Sequence, residues 1–145
     1  MIGLIQRVSE ASVTIEGERV AAINTGIMLL LGVEKEDDAQ KADRLLQRVL
    51  NYRIFPDEQG RMNCSLLDKG HELLIVPQFT LPADTRKGNR PGFSKGAPPE
   101  LGQQLFNYFC TEAEKKLDML HCGRFGADMK VGLINDGPVT FWLQQ

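Results

Sequence analysis

Residues 26–33 read Gly-Ile-Met-Leu-Leu-Leu-Gly-Val, a run with no polar side chain. A strand that alternates apolar and polar residues buries one face, whereas a strand that is apolar throughout buries both faces. This stretch therefore predicts the central strand of a sheet. The segments before it, 3–9, 11–17 and 19–24, are predicted as three further strands, and the second of them alternates clearly.

After the central strand, the spacing of apolar residues becomes helical. From Asp38 to Tyr52 they form one stripe, following an acidic start that suits the helix dipole. The remaining predicted elements are a strand at 73–79, a helix at 100–117, and strands at 130–134 and 139–143 around a turn at 135–138. Because Pro77 cannot donate to a ladder, its strand should lie at a sheet edge or leave the sheet there. The order predicts one α+β domain, residues 1–145, with mixed sheets and two main helices.

Composition indicates a soluble globular protein. Of 145 residues, 42% are hydrophobic and 25% are charged, and the formal net charge is −2. The longest apolar run is far shorter than the roughly 20 residues of a membrane helix, and the N-terminus lacks the pattern of a secretory signal. Three cysteines without a CxxC spacing favour reduced thiols and a cytoplasmic location. Since the net charge is not positive, any contact with RNA should be local.

Side chains that usually carry catalysis are scarce. His71 and His121 are the two histidines, and no spacing favours pairing either with a cysteine nucleophile. The adjacent His121-Cys122 resembles half of a metal site, but a zinc site needs at least three protein ligands and no cluster supplies the rest. The sequence contains no GxGxxG, no GxxxxGK[ST] phosphate loop and no GxSxG elbow. We therefore expect neither a metal nor a cofactor.

Two short segments are unusual: Pro77-Gln78-Phe79-Thr80-Leu81 and Asn135-Asp136-Gly137-Pro138-Val139-Thr140. The first ends an apolar strand, so the backbone N–H groups around Phe79 and Thr80 should lack ladder partners and be able to face a ligand. In the second, Gly137 permits close approach of the backbone and Pro138 fixes its own φ. Taken singly, each segment is also consistent with an ordinary strand end or hairpin turn.

Together with IQRVSEASV, LGVEKEDD, NYRIF, RPGFSKGAPP and the ending GPVTFWL, these segments closely resemble the bacterial D-aminoacyl-tRNA deacylase family. The resemblance extends from Met1 to the C-terminus. The family's first motif is SQFTL, and Pro77 departs from it by replacing the serine. Its second motif, NxGPxT, is matched at Asn135, Gly137, Pro138 and Thr140.

The resemblance implies a barrel-like α+β fold and a homodimer whose active sites lie at the subunit interface. Each site would receive Gly137 and Pro138 from the other subunit. In the family these residues are joined by a cis bond, and their carbonyl oxygens face the substrate's α-carbon and exclude an L side chain. Arg7 matches an arginine that braces this turn. The implied reaction hydrolyses the ester between a D-amino acid and the 3′ end of tRNA, with glycine mischarged on tRNA-Ala as a secondary substrate.

The implied mechanism needs no side-chain nucleophile. An aminoacyl ester is already activated, so the ribose 2′-hydroxyl or a held water can attack once the carbonyl is positioned and its oxyanion receives hydrogen bonds. We assign those bonds to the N–H groups of Phe79 and Thr80, and the pocket for the terminal adenosine to Gln78 and Phe79. The Thr80 hydroxyl is an alternative nucleophile, although no base lies nearby in the sequence.

One locally basic stretch follows the first segment, with Asp84 as its single acid. We expect it either to contact acceptor-stem phosphates or to be a solvated loop. Its basic residues are Arg86, Lys87, Arg90 and Lys95.

Three other functions remain open at this level. A sister family in animals, which clears certain L-aminoacyl-tRNAs, also has proline at position 77, whereas Phe79 and Arg7 argue against it. A noncatalytic module that binds RNA ends would also lack side-chain catalysts, but it would not support multiple-turnover hydrolysis. A small-molecule esterase would hydrolyse short esters without needing the tRNA body.

Overall fold

The chain folds into eight strands and three helices, which the computed structural model describes over residues 1–145. In chain order these are β1 (Ile2–Ile15), β2 (Glu18–Ile23), β3 (Gly26–Gly32), α1 (Ala39–Asn51), β4 (Phe55–Pro56), β5 (Met62–Cys64), α2 (Leu66–Lys69), β6 (Glu72–Pro77), α3 (Pro99–Glu114), β7 (Leu120–Cys122) and β8 (Lys130–Gln144). None of the helices is both long and apolar enough to cross a membrane.

Six of the strands form one mixed sheet, in the order β2-β1-β3-β6-β7, with β8 paired to β1. The pairs β3–β6 and β6–β7 are parallel, and the other pairs are antiparallel. Because β2 at one end contacts β6 and β7 at the other, the sheet curls into a nearly closed barrel. The predicted mixed, barrel-like α+β fold is therefore confirmed.

β3 is the central strand that its sequence predicts, because it lies between β1 and β6. Alternate residues face two different apolar clusters. Ile27, Leu29 and Leu31 pack with residues of α1 and α3 on the outside of the sheet. Met28 packs in the second cluster with strand residues such as Val13 and Leu74. A strand covered on both faces needs apolar residues at both, which is the pattern seen.

Helix α1 also forms as predicted. Its N-cap is Asp38, whose side chain accepts a hydrogen bond from the N–H of Lys41 at 2.8 Å. Asp37, the residue before the cap, contacts the amino terminus of the chain. It is buried and accepts a hydrogen bond from the Met1 amino group at 2.6 Å. The residues on the buried stripe are Ala42, Leu45, Leu46, Val49 and Leu50.

Several predicted boundaries are wrong. Segments 3–9 and 11–17 are one strand, β1, because β8 pairs with it along nearly its whole length. Likewise 130–134 and 139–143 belong to one strand, β8, and the expected turn between them is a bulge within it. The strand predicted to reach Phe79 ends at Pro77. We predicted that the strand with Pro77 lies at a sheet edge or leaves the sheet at the proline. β6 leaves the sheet at Pro77, and it is not an edge strand, because it lies between β3 and β7.

The second main helix, α3, ends three residues before its predicted end, so Leu117 lies beyond it. Its buried residues include Leu105, Phe106, Phe109 and Cys110. Four short elements were also missed: the strands β4 and β5, the single-turn helix α2, and the strand β7. Each is too short for apolar periodicity to reveal it.

Candidate active site

The first unusual segment begins where β6 leaves the sheet. The N–H of Gln78 makes the last bond to β3, donating to the carbonyl of Leu31 at 2.8 Å. The next two N–H groups, those of Phe79 and Thr80, have no hydrogen-bond acceptor within the protein, whereas the N–H of Leu81 donates back to Gln78. Two adjacent free donors can bind one oxygen that carries developing negative charge.

Close packing against β3 fixes the position of this segment. A Cβ at Gly32 would lie 2.8 Å from Leu81 Cβ and 3.3 Å from the carbonyl oxygen of Gln78, so only glycine allows this approach. On the other side, a Cβ at Gly96 would be 4.0 Å from the carbonyl oxygen of Phe79. The free donors are therefore held between β3 and the loop that contains Gly96.

The Thr80 hydroxyl has a partner, but that partner is not a base. Nε2 of Gln78 donates to Oγ1 of Thr80 at 2.6 Å, and no histidine or carboxylate bonds to this oxygen. A hydroxyl becomes a nucleophile when a neighbouring group accepts its proton, and an amide N–H cannot do so. The geometry thus favours a role for the backbone of residues 79–80 over a role for the Thr80 side chain.

Pro77 is the last residue of β6 and lies beside the end of β7. In β6, the carbonyl of Ile75 faces β7 and accepts from the N–H of Gly123 at 2.7 Å. Residue 77 faces the same side because strand residues alternate, but β7 ends at Cys122, opposite Ile75. Gly123, the next residue, lies against the proline: a Cβ at Gly123 would be 3.3 Å from Cδ of Pro77, the ring atom bonded to the backbone nitrogen.

Beside the free donors lies an apolar cavity of about 300 Å³. Gln78 and Phe79 form one side of it, and Phe79 is 70% exposed with its ring centroid 5.6 Å from that of Phe93. The opposite wall contains Phe106 and Phe125, whose ring centroids are 6.1 Å apart. A cleft lined by several aromatic rings suits a flat ring such as a nucleobase, which stacks on such faces.

The second unusual segment is a wide bulge in β8. Val8 lies opposite Asn135 and Gln6 lies opposite Thr140, so a single β1 residue, Arg7, faces four residues of β8, 136–139. Those four residues leave the ladder and project from the sheet. A sequence rich in turn-forming residues looks like a hairpin turn, but here the strand resumes in the same direction against the same neighbour.

The side chain of Asn135 closes this bulge. Its Oδ1 accepts from the N–H of Val139 at 2.7 Å, and its Nδ2 donates to Oγ1 of Thr140 at 2.8 Å. These bonds replace ladder bonds that the bulge removes. They give a physical reason for asparagine at the first position of the motif and threonine at the last.

Gly137 lies at the tip of the bulge and admits no side chain. Its φ is +142°, and a Cβ there would lie 2.6 Å from Cγ2 of Val139 and 3.2 Å from Nη2 of Arg7. The peptide bond between Gly137 and Pro138 is cis, as the family resemblance implies.

Arg7 connects the bulge to the body of the protein. Its Nε donates to the carbonyl of Asp136 at 2.9 Å, and its Nη1 donates to the carbonyl of Ile54 at 2.7 Å. Only 14% of the Arg7 side chain is exposed, and its contact with the Asp136 carboxylate is longer, at 3.5 Å. The guanidinium thus holds the backbone just before Gly137 from a fixed point after α1.

Within one subunit, the two segments lie apart. Pro77 is level with Leu31 and Gly3, whereas the bulge is level with Arg7, four residues further along β1. Between them are three strand-to-strand steps, β6 to β3 to β1 to β8. At about 3.3 Å per residue and 4.8 Å per strand, they are separated by more than 10 Å in each direction.

The basic loop forms a separate surface cleft lined by Arg86, Lys87 and Arg90, and Lys95 is not part of it. Arg86 is paired with Asp84, donating to Oδ1 at 2.8 Å and to Oδ2 at 2.6 Å. These bonds hold the pKa of Asp84 far below its usual range. Lys87 and Arg90 make no ion pair.

Comparison with known proteins agrees with the motifs. Residues 4–144 match the model of the family described as D-Tyr-tRNA(Tyr) deacylase. The chain belongs to this family. Relatives named D-aminoacyl-tRNA deacylase include one from Pseudoalteromonas atlantica, 61% identical over 143 residues, and one from Aliivibrio fischeri, 58% identical over 144 residues. In both cases 99% of each chain is covered.

Solved structures of similar proteins share the whole fold. A structure titled c-Myc DNA unwinding element binding protein superposes with a TM-score of 0.96 at 40% identity, covering 100% of this chain and 99% of the other. A probable eukaryotic D-amino acid tRNA deacylase superposes with a TM-score of 0.82 at 17% identity, covering 99% and 98% of the two chains. The second likeness concerns the fold alone.

Three aromatic residues of the cavity beside the free donors were not predicted from the sequence of this deacylase-family member: Phe93, Phe106 and Phe125. Phe93 and Phe125 each adjoin a glycine in a loop, which was the available signal. Phe106 lies on α3, where an aromatic residue looks like ordinary core.

Proposed function

We propose that this protein hydrolyses the ester of D-aminoacyl-tRNA and releases the D-amino acid and tRNA. The observation that carries the proposal is the pair of free N–H groups at Phe79 and Thr80, next to an aromatic cavity, in a chain whose close relatives are named D-aminoacyl-tRNA deacylase. Residues 1–145 act as one deacylase domain in the cytoplasm.

In the proposed reaction, the cavity receives the terminal adenosine of tRNA. Phe79 and Phe93 offer ring faces for the adenine, and Gln78 lines the same side. With the nucleoside fixed there, the ester carbonyl reaches the N–H groups of Phe79 and Thr80. Those donors are fixed by the packing of the segment on Gly32, so they need no reorganisation when the carbonyl oxygen becomes an oxyanion.

The attacking group is water, or the ribose 2′-hydroxyl followed by water. If the 2′-oxygen attacks, the acyl group moves from the 3′- to the 2′-oxygen, and water must then cleave the new ester to release the amino acid. If water attacks, its oxygen bonds to the carbonyl carbon, the bond to the ribose 3′-oxygen breaks, and a proton passes to that oxygen. The products are a free amino acid and a tRNA with an intact 3′ end. The Thr80 hydroxyl accepts a hydrogen bond from Gln78 and has no base to take its proton, so it does not attack the ester.

Stereochemical selection is proposed to require a second subunit. Because the bulge and the free donors lie far apart within one chain, Gly137 and Pro138 can approach the ester only from another copy. The protein therefore acts as a homodimer with its sites at the interface. The bulge backbone then occupies the space that an L side chain would need, whereas glycine has no side chain, so glycyl-tRNA is a second substrate.

Subunit mixing tests this shared site. A Gly137→Ala subunit is combined with a subunit carrying Gln78→Ala and Phe79→Ala. If the segments come from different subunits, each heterodimer keeps one intact site, and random mixing restores about a quarter of wild-type activity. If both segments come from one subunit, no activity returns, and the proposal of a shared site fails.

The activity itself is tested by multiple turnover with two substrates, D-tyrosyl-tRNA and a short D-tyrosine ester. We expect many turnovers of the tRNA ester and negligible hydrolysis of the short ester, because the cavity contributes binding energy through the nucleoside. One turnover or none would indicate an RNA-end-binding module. Equal rates on both esters would indicate a small-molecule esterase.

A further inference from the structure

Two cysteines that play no part in the proposed hydrolysis lie in contact. Cys110 is on α3 and Cys122 ends β7, and their Sγ atoms are 2.9 Å apart. A disulfide bond is about 2.05 Å long, so an approach of about 0.9 Å would join them. The third cysteine, Cys64, lies on β5 and makes no such contact.

We propose that Cys110 and Cys122 are a modification site at which a hydroperoxide forms a reversible disulfide within the subunit. Both thiols are free in the structure, as expected in a reducing cytoplasm. The disulfide is therefore the product of oxidative exposure and not a part of the resting fold.

Different exposure of the two sulfurs sets the order of steps. Cys122 is half-buried and lines an open surface cleft together with Gln103 and Arg124, so an oxidant reaches it. Cys110 is 8% exposed, and its pKa is raised by the neighbouring Cys122 thiol and by burial. Since the thiolate is the reactive form, Cys122 reacts first and Cys110 resolves the product.

The chemistry balances with one hydroperoxide per disulfide. The Cys122 sulfur attacks the peroxide, the O–O bond breaks, and an alcohol (water from hydrogen peroxide) leaves while Cys122 becomes a sulfenic acid. The Cys110 sulfur then attacks the Cys122 sulfur, the S–O bond breaks, and water leaves with the Cys110 proton. The two thiols lose two electrons in total, and the peroxide gains them. A small dithiol reverses the change by exchange.

The disulfide would join the two elements that form one wall of the aromatic cavity, α3 and the segment that follows β7. Phe106 precedes Cys110 by one turn of α3, and Phe125 follows Cys122 by three residues. Neither cysteine lines the cavity itself. Because the sulfurs are already in contact, the bond should form without distorting the walls, and we expect the oxidised protein to keep hydrolytic activity within about twofold of the reduced protein.

Tryptic mapping of the wild-type protein tests the proposal. Cleavage after Lys95, Lys115, Lys116 and Arg124 places the two cysteines on separate peptides, 96–115 and 117–124, and Cys64 on a third. After treatment with hydrogen peroxide and alkylation of free thiols, we expect peptides 96–115 and 117–124 to be linked, with a mass 2 Da below the sum of the two free peptides. Cys64 should be alkylated. Dithiothreitol should restore both thiols, and the disulfide should raise Tm by about 5–10 °C.

Variants provide the matched control. Cys110→Ser should leave Cys122 to become a sulfinic acid, a gain of 32 Da, whereas Cys64→Ser should still form the linked peptide. Cys122→Ser, altered at the more exposed position, should show no oxidation at Cys110. Full alkylation of both thiols after peroxide, sulfinic acid at Cys122 while Cys110 is present, or disulfides only between subunits would overturn the proposal.

Discussion

At Gly137, the backbone conformation and the surrounding atoms both exclude a side chain. A Cβ would meet Val139 and Arg7, and φ is +142°. We expect Gly137→Ala to displace the bulge and abolish turnover of D-tyrosyl-tRNA, lowering kcat/KM by more than about 10²-fold, because misplacement by 1 Å has that effect.

Gly132→Ala on the same strand is the control for Gly137→Ala. Its Cβ would meet only Ser12 Oγ, at 3.4 Å, so it should keep normal rates. If Gly137→Ala were as active as Gly132→Ala, the bulge would have no part in the reaction.

Arg7 holds the backbone before Gly137 by bonds to two carbonyls, those of Asp136 and Ile54. Each hydrogen bond from a charged group contributes about 1.5–3 kcal/mol, so Arg7→Ala should lower D-substrate kcat/KM by about 10- to 100-fold or admit L-substrates. Arg7→Lys should show the same loss, because a lysine ammonium lacks the planar guanidinium whose separate N–H groups reach both carbonyls. Wild-type rates with full D-selectivity in Arg7→Ala would mean that Arg7 makes an ordinary surface contact, worth about 0–1 kcal/mol.

The Thr80 side chain should be dispensable for chemistry, because its hydroxyl accepts a hydrogen bond from Gln78 and has no base. We expect Thr80→Ala to keep kcat within about tenfold of wild type, and alanine at Cys64, Cys110 or Cys122 to have less effect. Single-turnover rates with D-tyrosyl-tRNA measure this. A loss of about 10³-fold, with circular dichroism unchanged, would indicate a side-chain nucleophile.

Helices and strands with a long, uniform pattern of apolar residues could be predicted from the sequence, whereas interruptions within a strand could not. β3 and α1 carry complete apolar periods, so their sequences define them. The bulge in β8 uses residues typical of turns, and local chemistry cannot show that the strand resumes against β1. In the candidate site, motif residues were found from the sequence, whereas Phe106 was not, because an aromatic residue on a helix also fits a core.

The basic loop should contribute to binding and not to the chemical step. Arg86 is already paired with Asp84, so Lys87 and Arg90 are the charges available to phosphates. We expect Lys87→Ala with Arg90→Ala to raise KM about tenfold, leave kcat unchanged, and lessen the dependence of KM on salt.

Lys115→Ala serves as the control. It also removes a positive charge, but from a lysine that is already paired with Glu112. An unchanged KM and salt dependence in the double variant would make the loop a solvated surface.

For the whole molecule, the barrel places the free donors and the bulge at different levels of one sheet, and we propose that a stereoselective site needs both. The resemblance of the sequence motifs to the family implied a site shared between two subunits, whereas periodicity describes one chain and cannot show how two copies meet. The proposed hydrolysis needs one backbone segment that activates the ester and a second that rejects L side chains.

The most direct test of this proposal is hydrolysis of matched D- and L-tyrosyl-tRNA by the purified wild-type protein under multiple turnover. We expect many turnovers of the D-ester and an L-ester rate no higher than spontaneous hydrolysis, despite proline at position 77. Hydrolysis of the D-ester at background, or of the L-ester at a comparable rate, would contradict it, and efficient hydrolysis of L-alanyl-tRNA would assign the protein to the L-specific sister function.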